Sequence, residues 1–173
     1  MSERYLIVFY SWSGCTRRLA QMIAEETHGE LYELQPEIPY PQDYDATVRQ
    51  AKAEIAAGVR PALKPMGIDL SQYGRVYVGS PNWCSTIAPP VASFLYQTMP
   101  TEKFILPFCT HGGGGAARMT VDLSAYCMGC DVLPMLAVYD RQVPQCHETV
   151  HGWILRTGHL MALGELSPKE ELL

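Results

Sequence analysis

The sequence is short of several things that would place it quickly, and each shortage excludes something. No apolar run approaches the ~20 residues a membrane-crossing helix needs, so no membrane association is expected. Basic residues are outnumbered: 13 Lys and Arg against 18 Asp and Glu give a net charge of −5 and a pI near 5.5. They do not cluster into a face that could neutralise phosphates, which argues against nucleic acid as a partner. The one adjacent pair, Arg17-Arg18, falls on an early helical turn and reads as two solvated side chains. Repeats and low-complexity segments are absent. With 47% hydrophobic and 18% charged residues, the 173-residue chain has globular composition and is long enough for a real core. We read it as a single domain over residues 1–173, with 164–173 a loosely held tail.

No export-type leader is evident either. The first apolar run is too short for a secretory h-region, and Glu3 offsets Arg4 in front of it. A cytoplasmic protein is therefore expected. Its six cysteines (Cys15, Cys84, Cys109, Cys127, Cys130 and Cys146) scatter through apolar or helical contexts and read as reduced thiols. Cys127-Met128-Gly129-Cys130 has the spacing of a redox dithiol, but such a motif acquires its low thiol pKa by opening a helix after a strand. Here it closes a helix before a strand, which is a structural role.

What is present is alternation. Apolar runs at Tyr5–Tyr10, Arg75–Gly79, Phe104–Cys109 and Val132–Val138 predict strands, and Glu30–Leu34 a half-exposed edge strand. Helical patterns fall between them. One runs from Arg17 to near His28-Gly29, one over Asp45–Ala57 with Val48, Ala51 and Ile55 inward, and one after Pro89-Pro90. A fourth carries Met119, Leu123 and Tyr126, and a last spans Glu148–Thr157. The prolines of Pro36–Pro41 exclude helix and central strand there, while Pro107 suggests an irregular strand end. Alternation of this kind argues a mainly parallel α/β sheet with helices on both faces, which binds ligands beyond the carboxyl ends of its strands.

Unusual loops stand at those ends. Tyr5–Tyr10 drops into Ser11-Trp12-Ser13-Gly14-Cys15-Thr16 and straight on into a helix. Free backbone N–H groups and the positive dipole end at a helix start hold an anion. The hydroxyls of Ser11, Ser13 and Thr16 add uncharged donors, and Gly14 permits close approach and positive φ. The strand at Arg75–Gly79 empties into Ser80–Thr86, a turn-rich loop with an exposed-looking Trp83. The next empties into Thr110-His111-Gly112-Gly113-Gly114-Gly115, whose glycines let peptide N–H groups reach a planar ring.

Ser-x-Ser-Gly-x-Thr after the first strand resembles the flavodoxin phosphate loop. Pro81–Val91 with Phe94-Leu95 is similar to the second loop of a bacterial flavodoxin-like family, and Phe108–Gly114 to its third, so the resemblance runs from Leu6 to about Trp153. It implies a three-layer sandwich around a five-stranded parallel sheet in order 2-1-3-4-5, and FMN as cofactor. By the same resemblance Ser11, Trp12, Ser13, Gly14, Cys15 and Thr16 hold the phosphate. Pro81, Asn82, Trp83, Cys84 and Thr86, with Thr110, His111, Gly112, Gly113 and Gly114, flank the flavin ring. Trp83 is expected to stack, Asn82 to meet the ring edge, and Thr86 to donate to phosphate or ring. The chain departs from the family in three places. Cys84 stands where a second aromatic is frequent, no glycine lies between Ser80 and Thr86 to flip toward a reduced flavin, and His111 with glycines replaces a stacking tyrosine.

The resemblance implies an electron-transfer flavoprotein shuttling electrons between protein redox partners, a reductase and an acceptor, with at most weak homodimerisation. The alternative is an FMN-dependent NAD(P)H:quinone-type oxidoreductase. The chain has no dinucleotide Gly-x-Gly-x-x-Gly, which favours the carrier, and its modest net charge with Arg17 beside the phosphate loop implies a less extreme potential than in strongly acidic flavodoxins. His147-Glu148-Thr149-Val150-His151 spells His-Glu-x-x-His, the zinc metallohydrolase pattern. Its longer continuation is missing, with Ile154 in place of glycine and Thr157 in place of histidine, so surface or cap histidines are the better reading. His111-Gly112-Gly113-Gly114 matches an esterase oxyanion loop, but no serine has the Gly-x-Ser-x-Gly setting its nucleophile requires.

Overall fold

The pleat of the first strand sorts the whole core. In β1 (Tyr5–Phe9), Leu6 and Val8 point to one face of the sheet and Ile7 and Phe9 to the other, and all four are buried. Burial on both faces is what a parallel strand requires, and it explains why β1, β3 (Arg75–Trp83) and β5 (Phe104–His111) read as continuous apolar runs. The computed structural model describes residues 3–164, so most of the expected tail, 165–173, lies outside the described residues.

Strand β1 pairs in parallel with β2 (Glu30–Glu33) on one side and β3 on the other, and β3 pairs with β5. Beyond β5 come two short pieces, β6 (Asp131–Val132) and β7 (Leu136–Tyr139), which together occupy the place of the expected fifth strand. Taken as one interrupted strand, they complete the expected order 2-1-3-4-5 with β2 at an edge. The interruption has a local cause. The carbonyl of Ile105 accepts from Leu133 N at 2.8 Å, so odd-numbered residues of β5 direct their backbone groups toward this neighbour. Pro107 is the next of them and has no N–H to offer. Instead of making its own strand end irregular, Pro107 stays in register with Val78 and breaks the adjoining strand.

Helices α1 (Cys15–Thr27) and α5 (His147–Leu163) cover one face through Leu19, Ile23, Val150 and Trp153. On the other face α3 (Pro89–Thr98) and α4 (Met119–Tyr126) bury Val91, Phe94, Leu95 and Leu123. Beside α3 lies α2 (Tyr44–Ala57), capped by Asp43, whose carboxylate accepts from Ala46 N at 2.7 Å, and closed by Gly58 in the left-handed region. Helix α5 begins one residue before its predicted start and runs six past its predicted end, because Leu160 and Met161 continue the apolar contact with that face. Among the described residues no helix is long and apolar enough to cross a membrane.

One expectation needs correction. Strand β3 does not stop at Gly79; it continues to Trp83 and folds back as a hairpin, pairing Asn82 with Ile87 and Trp83 with Thr86 of β4 (Thr86–Ile87). The second loop is thus the tip of a two-residue hairpin. Cys84 and Ser85 both have positive φ, 53° and 69°, the conformation a primed turn demands and Asn-Gly usually supplies. The tip is fastened by Arg118 N, which donates to the Ser85 carbonyl at 3.0 Å.

Candidate functional site

The ends of β1, β3 and β5 lie side by side, and their loops close on a cleft of about 470 Å³. That is within the range of small-molecule sites. From the expected residues Trp12, Ser13, Pro81, Asn82, Trp83, Cys84, Thr110, His111 and Gly112 line it. The remainder sit behind that lining or away from it.

Ser11, Gly14, Cys15 and Thr16 build the turn. Gly14 takes φ 97° as the residue before α1, a conformation no β-carbon favours. Ser11 is buried, and its Oγ accepts from Gly14 N at 3.1 Å and from Arg17 N at 3.2 Å. Among the described residues, the N–H groups of Ser13, Cys15 and Thr16 find no protein acceptor. They are the orphan donors a helix start leaves, gathered in one turn, and they suit an anion. The three hydroxyls are placed differently. Thr16 is 1% exposed, and its Oγ1 lies 2.8 Å from that of Thr110, itself 2% exposed. Ser11 accepts from the loop's own amides and keeps its O–H free to donate, while Ser13 is the exposed hydroxyl that lines the cleft. Arg17 keeps its guanidinium beside Gly14 while donating to Glu33 at 2.9 and 2.6 Å, a contact that raises its pKa.

The hairpin forms a second wall. Trp83 is half-buried rather than exposed, because its ring stands nearly perpendicular to Tyr40 at 4.9 Å and Tyr10 at 5.4 Å between centroids. Burial pushes both tyrosine hydroxyls well above their ordinary pKa, so they stay neutral. Asn82 reaches across to the third loop and donates from Nδ2 to the Gly115 carbonyl at 2.7 Å, which fixes one loop against the other. Thr86 lies outside the cleft altogether; it sits past the hairpin tip, and its hydroxyl donates to Asp122 at 2.6 Å.

The third wall is the glycine run. His111 Nδ1 accepts from Gly113 N at 3.1 Å, and the imidazole stacks on Tyr139 at 5.9 Å, which makes His111 a formed part of the loop. A β-carbon added to Gly112 or Gly113 would meet no protein atom within 4 Å, so this side is open space. Gly114 lies beside Asn82 Nδ2.

Sequence reasoning missed the fourth wall. Tyr44, Thr47, Val48, Ala51 and Lys52 of α2 line the cleft, joined from beyond β7 by Asp140. Their spacing was visible as an apolar helical stripe, but periodicity cannot distinguish a stripe on a core from one on a cleft. Elsewhere, His147 and Glu148 are exposed on α5, and His151 Nδ1 meets Glu26 at 3.1 Å. Among the described residues no group of three His, Cys, Asp or Glu side chains is placed to hold a metal. All six cysteines are free thiols, and burial pushes Cys127 up to about 12 and raises Cys130, the opposite of what a redox dithiol needs.

The family described as Flavodoxin matches residues 4–154 of the chain. A solved structure from Bacteroides eggerthii is 20% identical with a TM-score of 0.80, covering 91% of this chain and 99% of its own. One from Bacteroides uniformis is 24% identical with a TM-score of 0.77, over 90% and 99%. A flavoprotein from Lactobacillus acidophilus, crystallised in complex with FMN, is 27% identical with a TM-score of 0.69, over 83% and 98%. No curated protein matches.

Proposed function

The chain belongs to the flavodoxin family, and from that membership we propose that it is an FMN-binding electron-transfer flavoprotein, passing electrons between protein redox partners. The observation that carries the cofactor is the set of uncommitted N–H groups at the start of α1, opening beside a cleft walled by the other two loops. That donor set suits a phosphate, and the aromatic and glycine-lined space beside it suits a flat ring. The solved relative that holds FMN supports the same assignment.

In this reading Ser13, Cys15 and Thr16 present backbone donors to the phosphate, and Ser11 holds those amides in place. Trp12 is fixed by donation from Nε1 to the Pro41 carbonyl at 3.0 Å, so it bounds the cleft as a rigid side. Trp83, Val48 and Ala51 give one part of it an apolar lining. FMN, when bound, supplies the redox chemistry. Lys52 and Asp140 bring one ammonium and one carboxylate to the cleft, so their charges offset one another. This local neutrality supports a potential less extreme than that of a strongly acidic site.

The open third loop favours one second reading, an FMN-dependent NAD(P)H:quinone-type oxidoreductase, since Gly112 and Gly113 leave room for a small acceptor. Steady-state assays of the FMN-loaded protein separate the two. The carrier predicts negligible consumption of NADH or NADPH with a soluble quinone; rapid turnover would overturn it in favour of the enzyme.

A further inference from the structure

On the far side of the hairpin from the flavin cleft lies a second, larger cleft of about 540 Å³. The end of α2, the start of α3 and one face of α4 wall it, and Cys84 at the hairpin tip borders both spaces. Ile55, Ile87, Pro89 and Ala125 give it apolar surface. Its charged groups are two acids and two arginines, and their hydrogen bonding is lopsided. Glu54 already accepts from the Tyr40 hydroxyl at 2.5 Å and from Gln50 Nε2 at 3.0 Å. Asp122 accepts from the Thr86 hydroxyl at 2.6 Å and from Arg118 at 3.2 Å.

The arginines are far less committed. Arg118 gives one N–H to Asp122, and its side chain is 77% exposed. Arg60 makes no hydrogen bond to the protein among the described residues; its guanidinium lies 3.7 Å over the Tyr96 ring, which fixes its plane while leaving its edge donors open. A guanidinium carries five N–H donors and no acceptor, while each carboxylate keeps about half of its roughly four acceptor sites, so the unfilled donors of the cleft outnumber the unfilled acceptors on its acids. Apolar walls with surplus cationic donors match one ligand chemistry.

We propose that this second cleft binds an organic anion, a flat apolar body bearing one carboxylate or phosphate, with the anionic group taken by Arg60 and Arg118. The site is separate from the flavin cleft and stands whether or not FMN is the ligand there. The probes are 2-naphthoate and 2-naphthyl phosphate, titrated calorimetrically into the full chain with and without FMN, and 2-naphthalenemethanol as the neutral counterpart. Saturable 1:1 binding of at least one anion is expected, at least tenfold tighter than the alcohol and retained in the presence of FMN. Whichever naphthyl anion binds more tightly identifies carboxylate or phosphate as the preferred group. Arg60→Gln and Arg118→Gln should each weaken it at least fivefold, with circular dichroism unchanged. Absence of binding, equal binding of the alcohol, displacement by FMN, or indifference to both arginine variants would each overturn the proposal.

Discussion

The hydroxyls of Thr16 and Thr110 lie 2.8 Å apart, both side chains almost wholly buried, and they tie the first turn of α1 to the end of β5 across 94 residues of sequence. Each is the other's partner in a region that water does not reach. The phosphate loop is therefore anchored from beneath by the strand that carries the glycine loop. Thr110→Val keeps the shape and removes the bond, leaving the Thr16 hydroxyl stranded, so it should destabilise the protein by about 1–2 kcal/mol in urea unfolding. The double variant with Thr16→Val should recover part of that loss, since neither polar group remains. Additive losses in the double variant would show that the two hydroxyls are not coupled.

Ser11 acts on the loop's amides. Its Oγ accepts from both Gly14 and Arg17, which fixes the turn that presents the uncommitted N–H groups of Ser13, Cys15 and Thr16. Ser11→Ala should leave the far-ultraviolet dichroism unchanged and weaken FMN binding about tenfold, the equivalent of one hydrogen bond at ~1.4 kcal/mol. Unaltered affinity would mean the loop holds its shape without that hydroxyl.

The hairpin tip carries strain at a place where glycine is absent. A left-handed non-glycine residue costs roughly 1–2 kcal/mol, while glycine adds roughly 0.5–1 kcal/mol of unfolded-state entropy. With φ of 69° at Ser85, the first effect wins. Ser85→Gly should raise stability by about 0.5–1 kcal/mol, read as a higher urea midpoint at constant slope. A lower midpoint would indicate that the Ser85 side chain contributes more than the strain it brings.

Alkaline pH should unfold this protein in a definable window. Burial pushes the Cys109 and Cys127 thiols up to about 12, and the Tyr77 hydroxyl up to about 12 as well. For each, the folded state favours the neutral form, so below the unfolded pKa the stability is fully present. It falls as pH rises from the unfolded value, ~8.5 for a thiol and ~10 for a tyrosine, toward the folded one, by about 1.4 kcal/mol per pH unit per group. The urea midpoint should be flat between pH 7 and 8 and drop steeply above ~9. Cys127→Ala should make that drop shallower; a midpoint level to pH 11 would contradict the assignment.

Much of the fold was legible because it rests on local signals. The apolar runs at Tyr5, Arg75 and Phe104 are buried on both faces, and a strand so placed has no choice of pattern. The phosphate loop was legible for the same reason, since a helix start carries its donors in its own backbone. What escaped depends on partners far along the chain. Thr86 looked like a ligand group until its hydroxyl found Asp122, and Trp83 looked exposed until Tyr10 and Tyr40 closed on it. The hairpin at Cys84-Ser85 had no Asn-Gly to announce it. The break between β6 and β7 originates in Pro107 of the neighbouring strand, which no reading of residues 131–139 alone would reveal.

In the proposed function the N–H groups at the start of α1 hold the phosphate of FMN while the loops after β3 and β5 receive its ring. Titration of the protein with FMN and with riboflavin, followed by flavin fluorescence, isolates the contribution of those N–H groups, because the two ligands differ only by that phosphate. The structure predicts 1:1 binding of FMN, weakened at least tenfold for riboflavin, with Gly14→Val abolishing the difference by forbidding the φ of 97°. Protein that binds neither flavin, or binds both equally, would contradict it.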